Sequence, residues 1–212
     1  RMLDATCPFV AKIHKIVAEK SKEGYMILIA GDVNHPEIQG IIGHCEQNFY
    51  VFKDNIELKH VFEKNPDFLR KKLAFVAQTT YNIIEWEECL KVIPKGNPDI
   101  VIFDTICSAT DTRQSDAAKL ARESDIMLVV GGRHSSNTTK LFDVCQANCN
   151  RVFFVKTAAE LAQDMFKNSC HVGVVAGAST PARIIKEVIK TMSENNQNIE
   201  QLEEVAQKSF EE

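Results

Sequence analysis

The chain has 212 residues, a net charge of −4 and seven cysteines, an odd number that argues against a secreted disulfide scaffold. No stretch is apolar over the roughly 18 residues of a membrane span, no signal peptide opens the sequence, and no basic face predicts nucleic-acid binding. We therefore expect a cytoplasmic protein with reduced thiols, long enough for two domains of about 100 residues each.

The first half of the chain alternates helical and strand patterns, which is typical of α/β proteins with mostly parallel sheets. We expect helices at 7–23, near 36–43 and near 82–92, and strands at 25–30, 49–52 and 73–77. A polar turn at 94–98 is the expected boundary, which gives a first domain at 1–97. Too few residues precede Asp4 for the strand that the pattern requires, so we expect an additional N-terminal part.

The second half repeats this pattern and gives a second domain at 98–192. The apolar run at 100–103 predicts a buried parallel strand, and Cys107 follows it near the start of a helix. The other elements expected here are helices at 111–124, 136–147, near 158–163 and up to 192, and strands at 126–130, 152–155 and 171–176. Residues 193–212, with six acidic residues and one lysine, form an acidic tail or linker.

The two halves carry equivalent residues at a constant spacing, which indicates an internal duplication. The members of each pair lie 100 positions apart: Cys7 and Cys107, Gly31 and Gly131, Thr79 and Ser179. Each pair falls just after a predicted strand, where ligands bind in parallel α/β sheets. The sequence therefore predicts two tandem pseudo-repeated α/β domains whose functional loops lie in the same places.

Several of these loops are rich in hydroxyl groups and lead into helices. The backbone N–H groups at a helix start favour an anion such as phosphate, although the same serines can serve only as helix caps. His35 and Glu37 are likewise open to two interpretations: phosphate binding and proton transfer, or capping of the following helix. The phosphate-binding P-loop motif of nucleotide-binding proteins is missing from the sequence.

Cys7 and Cys107 occupy equivalent positions in the two repeats, so each repeat would give one thiolate to a shared cluster. An iron–sulfur cluster usually has four ligands, and three cysteines would leave one iron open as a Lewis acid. The alternative is that each cysteine is a small buried thiol. For Cys145 and Cys149, predicted on one helix face, packing is the favoured interpretation.

A set of short motifs, taken together, resembles the LytB-type family of 4-hydroxy-3-methylbut-2-enyl diphosphate reductases, the last enzymes of the non-mevalonate isoprenoid pathway. The similar motifs run in order along the chain: Asp-Ala-Thr-Cys-Pro at 4–8, His-Pro-Glu at 35–37, Gln-Thr-Thr at 78–80, Asp-Thr-Ile-Cys at 104–107, Ser-Ser-Asn at 135–137 and Ala-Gly-Ala-Ser at 176–179. The resemblance covers residues from about Asp4 to Met192.

The resemblance implies a three-domain pseudo-threefold fold of which this sequence holds the second and third domains. It implies a [4Fe-4S] cluster with three cysteine ligands, two of them Cys7 and Cys107 and the third in the missing first domain. Glu37 and Thr79 would deliver protons near the substrate hydroxyl. The implied substrate-binding residues are His35, Thr79, Ser135, Ser136, Asn137 and Ser179.

The implied reaction removes the substrate hydroxyl with two electrons and protons and yields isopentenyl and dimethylallyl diphosphates. An electron donor such as ferredoxin or flavodoxin would be needed. The 212 residues alone are expected to be inactive, because one cysteine and half of the diphosphate donors are absent. The acidic tail is similar to the connector that leads into RNA-binding S1 repeats in some clostridial members.

Two other functions fit parts of the sequence. One is a different pseudo-threefold iron–sulfur enzyme of the quinolinate-synthase kind, which also draws one cysteine from each repeat. The other is a metal-free module that binds a phosphate-containing ligand. A competition between allylic diphosphate and dicarboxylate ligands separates the two enzymes, and iron in the purified protein separates both from the module.

Overall fold

Parallel strand pairing organises the chain into two sheets, one in each of two compact units. The structure, a computed structural model, describes residues 4–46, 48–167, 169 and 171–195. Among these residues, four strands form the sheet of unit 1 (Arg1–Ser108) and three form the sheet of unit 2 (Ala109–Glu212). All strand pairs are parallel, which confirms the predicted α/β class.

Unit 1 alternates helices and strands, and its sheet has the strand order β2-β1-β3-β4. Its elements are α1 (Pro8–Lys22), β1 (Met26–Ala30), α2 (Pro36–Ile42), β2 (Phe49–Phe52), α3 (Asn55–Lys64), a short 3-10 helix (Pro66–Arg70), β3 (Leu73–Ala77), α4 (Ile83–Val92) and β4 (Ile100–Ile102). Side-chain caps start three of these helices. His35 caps α2, Asp54 caps α3 by accepting from the Glu57 N–H at 2.8 Å, and Asn82 caps α4 by accepting from the Glu85 N–H at 3.1 Å.

The core of unit 1 lies on both faces of its two central strands. β1 and β3 are apolar without alternation because helices cover both of their faces. On one face, Ile13 of α1 and Ile38 of α2 pack against Ile27 and Ile29. On the other, Trp86 of α4 and its apolar neighbours pack against the strands. Burial on both faces fixes the register, so the strand ends and their loops are held in place.

β4 differs from the prediction in two ways. It hydrogen bonds to β3, so the backbone contacts divide the chain after Ser108, whereas the sequence predicts a boundary at 97/98. It is also an edge strand rather than a buried one: Ile102 is 46% exposed. An apolar run of this length does not distinguish an edge strand from a central one, since both contain β-branched residues.

Unit 2 has a sheet with the order β6-β5-β7, which matches the order β2-β1-β3 of unit 1. Its elements are α5 (Ser108–Glu123), β5 (Ile126–Val130), α6 (Ser136–Asn148), β6 (Val152–Val155), two 3-10 helices (Ala158–Glu160 and Gln163–Phe166), β7 (Val172–Ala176) and α7 (Ala182–Asn195). α7 extends three residues into the predicted tail, and 196–212 lie outside the described residues. Within the described ranges, no helix is both long and apolar enough to cross a membrane.

Two stacked histidines pack where α1 meets α2. The ring of His14 lies 4.2 Å from the ring of His44, centroid to centroid. Its buried Nε2 atom has no hydrogen-bond partner among the described residues. A Cβ at Gly40 would approach this atom to 3.3 Å, which explains a glycine inside α2.

Acidification is expected to destabilise unit 1 through His14. Burial lowers the pKa of His14, His44 lowers it further, and Asp4 opposes the shift. The unfolded chain therefore binds this proton more readily than the folded chain. The stabilising effect of the neutral ring is complete above the ordinary histidine pKa of about 6.5 and is lost as the pH falls through the lowered value.

Urea unfolding of the purified protein at about pH 7.5 and about pH 5.5 measures this effect. The variant His14→Gln should show a weaker loss of stability on acidification. The exposed His60 offers the matched control, and His60→Gln should keep the wild-type pH dependence. An unchanged pH dependence in His14→Gln would contradict the assignment.

Candidate functional site

The strand order places the candidate site of unit 1 at the carboxyl ends of β1 and β3. Chain connections from these two adjacent strands run in opposite directions across the sheet, and ligands bind at such a switch point. The loop after β1 holds His35 and Glu37, and the loop after β3 holds Gln78 and Thr79. Buried Gln78 connects the two loops, because its Oε1 accepts from the backbone N–H of Asp32 at 3.4 Å.

Glu37 and Thr79 form a two-point contact between these loops. The Thr79 N–H donates to Oε1 of Glu37 at 2.7 Å, and the Thr79 hydroxyl donates to Oε2 at 2.9 Å. Thr79 is only 7% exposed, so water competes little for these hydrogen bonds. The carboxylate is therefore held in one orientation. Its Oε2 atom, which accepts from the Thr79 hydroxyl, is also an atom that could carry a proton.

His35 caps α2 through one ring nitrogen, which leaves the proton of a neutral ring on the other. Its Nδ1 accepts from the Glu37 N–H at 3.2 Å. A nitrogen that accepts a hydrogen bond carries no proton, so the proton of a neutral His35 ring lies on Nε2. Both sequence interpretations of His35 are therefore compatible: the ring caps the helix through Nδ1 and can donate to an anion through Nε2.

Cys107 lies beside the Glu37–Thr79 pair through its backbone. Its N–H donates to the Thr79 carbonyl at 3.0 Å, so one residue contacts both Glu37 and Cys107. The side chain of Cys107 is half-buried. The residue directly precedes α5, which begins at Ser108, three residues before its predicted start. The structure thus brings together four predicted site residues: His35, Glu37, Thr79 and Cys107.

Cys7 occupies the equivalent place before α1. It is exposed, its carbonyl accepts from the Ala11 N–H at 2.9 Å, and the helix has no side-chain cap. A thiolate at either position faces the positive end of a helix dipole. Within the described part of the chain, no hydrogen bond joins Cys7 to the residues around Thr79.

The other described cysteines are less suited to binding a metal. Burial raises the pKa of Cys45 to about 11 and the pKa of Cys89 and Cys145 to about 12, which disfavours the thiolate. Cys149 is buried past the end of α6, and its sulfur contacts the Ser124 carbonyl. Cys7 and Cys107 are therefore the described cysteines whose surroundings best suit a thiolate ligand. No group of three metal-binding side chains occurs among the described residues.

In unit 2 the predicted residues occupy the equivalent loops after β5 and β7. Ser135 caps α6 by accepting from the Thr138 N–H at 3.4 Å, and Ser136 is the first residue of that helix. The Nδ2 atom of Asn137 is buried without a hydrogen-bond partner in the described part of the chain. Ser179 is exposed in the loop after β7. Of these groups, the buried Asn137 amide can donate to an anion at the start of α6.

Thr138 packs between the two loops of unit 2. It is fully buried, and its Oγ1 has no hydrogen-bond partner among the residues described. A Cβ at Gly177 would lie 2.0 Å from this oxygen, and a Cβ at Gly131 would lie 2.9 Å from the Thr138 methyl group. The two glycines let the loops close around this side chain. In unit 1 the equivalent residue is Ile38, which packs against Gly31.

Sequence reasoning did not identify Thr105, Gln78 or Thr138 as residues that organise the site. Gln78 directly precedes Thr79, and Thr105 lies two residues before Cys107, so closeness to a candidate residue within a family motif was the available signal. Thr138 follows Ser-Ser-Asn directly, but only the structure shows that it is enclosed by two glycines.

Comparison with known proteins gives one consistent match. The family model described as LytB protein matches residues 1–193. The chain is 40% identical over 206 residues to a 4-hydroxy-3-methylbut-2-enyl diphosphate reductase of Clostridium acetobutylicum, covering 97% of this chain and 31% of the relative. It is 42% identical over 189 residues to the enzyme of that name from Caldanaerobacter subterraneus, covering 89% of this chain and 64% of the relative.

A solved structure has a similar fold. It is the E-1-hydroxy-2-methyl-but-2-enyl-4-diphosphate reductase from Plasmodium falciparum, with a TM-score of 0.85 and 28% identity over 97% of this chain and 64% of that chain. The chain therefore spans less than two thirds of the length of these relatives.

Proposed function

Since this chain belongs to the LytB protein family, we propose that it forms part of a reductase acting on 4-hydroxy-3-methylbut-2-enyl diphosphate. The products would be isopentenyl and dimethylallyl diphosphates. The observation that carries the proposal is the contact network in which Thr79 contacts both the Glu37 carboxylate and the Cys107 backbone. This network supports the proposal because a carboxyl group that could transfer protons and a cysteine that could ligate a metal share Thr79 as a neighbour.

We assign Cys7 and Cys107 as ligands of a [4Fe-4S] cluster, with a third cysteine from a part of the enzyme outside these 212 residues. When bound, the cluster supplies electrons and Lewis acidity for removal of the hydroxyl group. Exposure of Cys7, partial burial of Cys107 and the helix start next to each support this assignment. Units 1 and 2 would be the second and third α/β domains of the enzyme.

Glu37 and Thr79 would deliver the proton that accompanies loss of the hydroxyl as water. In the carboxylate form, Glu37 accepts from the Thr79 hydroxyl at 2.9 Å. Once Glu37 is protonated, its own O–H can donate to Oγ1 of Thr79, which frees the threonine proton for the substrate oxygen. The second hydrogen bond, from the Thr79 N–H, keeps the carboxyl group in place during this exchange.

The diphosphate would be held by hydroxyl, amide and imidazole donors. His35 offers Nε2, and Thr79 would contact the substrate near its hydroxyl group. In unit 2, Ser135, Ser136 and Asn137 lie at the start of α6, whose N–H groups favour an anion. The buried, unpartnered amide of Asn137 supports a ligand that accepts from it. Ser179 offers a further hydroxyl in the loop after β7.

The electron donor would be a small redox protein such as ferredoxin or flavodoxin. We propose a cytoplasmic location, which the free thiols of all six described cysteines support. An S1-type RNA-binding segment downstream of the acidic tail stays a prediction.

The substitution Glu37→Gln in the full-length protein tests the proton-transfer role. We expect reductase activity to fall by about 100-fold or more, because general acid catalysis contributes about 10² to 10⁴. Iron content should not change, since Glu37 is not assigned as a ligand. Anaerobic turnover with a chemical reductant and iron quantification measure the two effects.

The exposed Glu87 provides a matched control, and Glu87→Gln should leave both activity and iron content at wild-type levels. Wild-type turnover by Glu37→Gln would contradict the proposed role of Glu37. Loss of iron in that variant would instead show that the residue supports the cluster.

A further inference from the structure

The buried hydroxyl of Thr105 makes two hydrogen bonds to one residue at the end of β3. Its Oγ1 donates to the Ala77 carbonyl at 2.7 Å and accepts from the Ala77 N–H at 2.8 Å. Ala77 is fully buried, and Thr105 is 5% exposed. A hydroxyl group has one donor and can accept, so a single side chain satisfies both backbone groups of Ala77.

These two hydrogen bonds replace the backbone hydrogen bonds that would come next between β3 and β4. The β3–β4 register ends at Phe75 and Ile102, and the last backbone hydrogen bond runs from the Phe103 N–H to the Phe75 carbonyl at 2.9 Å. Beyond that point the backbone leaves the sheet, and the Thr105 side chain keeps the segment attached to β3. Two residues later, the Cys107 N–H donates to the Thr79 carbonyl.

We infer that Thr105 is a positioning residue that fixes Cys107 beside the Glu37–Thr79 pair. The segment leading to Cys107 has two attachments, one to Ala77 at the end of β3 and one to Thr79 in the loop that follows. Loss of the Thr105 hydroxyl would leave the two buried backbone groups of Ala77 without these partners, which favours local opening of the segment. The inference rests on the proposed function for its catalytic meaning, but the attachment itself does not require a cluster.

The rate at which iodoacetamide alkylates Cys107 in the metal-free full-length protein tests the inference. The variant Thr105→Val keeps the shape of the side chain without the hydroxyl, and Thr105→Ser keeps the hydroxyl. We expect alkylation of Cys107 to accelerate about tenfold in Thr105→Val and to stay near the wild-type rate in Thr105→Ser. Cys7, followed by mass spectrometry in the same samples, should react at the same rate in all three proteins.

A second measurement connects the attachment to the cluster. In the iron-loaded protein, the reduction potential should shift in Thr105→Val and return to the wild-type value in Thr105→Ser. Equal Cys107 alkylation rates in all three metal-free proteins would overturn the inference. So would a matching acceleration at buried Cys89 in Thr105→Val, because it would show general unfolding rather than local release. Because alkylation needs no cluster, failure of the iron–sulfur assignment leaves this test intact.

Discussion

Replacing Cys107 by serine in the full-length protein is expected to remove most of its bound iron and lower reductase activity by more than about 100-fold. The hydroxyl of serine is a poor ligand for iron in a sulfur-ligated cluster, since such clusters are held by thiolates. Substituting a residue that only hydrogen bonds to a metal ligand lowers metal affinity or activity by about 10- to 100-fold. Loss of a direct ligand should therefore have a larger effect. Iron and sulfide quantification after anaerobic purification, together with the visible absorption spectrum, measures the loss.

Cys45 provides the control for that substitution. It is half-buried in unit 1, and burial raises its pKa to about 11, so it is not expected to ligate iron. Cys45→Ser should keep the iron content and the absorption spectrum of the wild-type protein. A Cys107→Ser protein that retains its full iron content, or a Cys45→Ser protein that loses it, would contradict the ligand assignment.

The substitution Gly177→Ala is expected to lower the stability of the protein and weaken its binding of the diphosphate substrate. Its new methyl group would lie 2.0 Å from Oγ1 of Thr138, a fully buried side chain at the start of α6. Overpacking of this kind costs about 1–3 kcal/mol of unfolding free energy. Relief of the clash requires the loop that carries Ser179 to move away from the start of α6, so the KM for the diphosphate substrate should rise as well. Urea unfolding and steady-state kinetics measure the two changes.

The double variant Gly177→Ala with Thr138→Ala distinguishes a specific clash from general damage. Thr138→Ala removes both the hydroxyl and the methyl group that face Gly177, which makes room for the new methyl group, so the double variant should be more stable than Gly177→Ala alone. The coupling between the two positions should reach about 0.5–3 kcal/mol, the range for residues in contact. Gly43→Ala, where the new methyl group would meet its nearest atom at 3.4 Å, serves as the tolerated comparison. Additive effects of the two substitutions would refute the clash.

Strand positions are the part of the fold that the sequence predicts best: the edge strands β2 and β6 also have the predicted bounds. β3 and β5 have the predicted bounds because each is a short apolar run that ends at a polar loop. Helix starts are less accurate: α5 begins at Ser108, three residues before its predicted start. The position of β4 was not predictable from its composition, because membership in a sheet is decided by long-range hydrogen bonds.

Some residues of the candidate site could likewise be predicted from the sequence, and others could not. The family motifs identified Glu37 and Thr79, and the structure adds the two hydrogen bonds that join them. Thr105 and Thr138 were missed because their roles depend on contacts with Ala77 and with Gly177, residues distant in the sequence. A side chain that completes a strand ladder, or fills the space left by a glycine, has no local sequence pattern.

Mössbauer spectroscopy of the anaerobically purified, iron-57-labelled full-length protein tests most directly whether Cys7 and Cys107 hold an iron–sulfur cluster beside Glu37 and Thr79. We predict a cluster spectrum in which one iron differs from the others and responds to the allylic diphosphate. The same spectrum should be absent from Cys7→Ser and Cys107→Ser proteins. An iron-free protein that still binds the diphosphate would contradict this account and would favour a metal-free binding module.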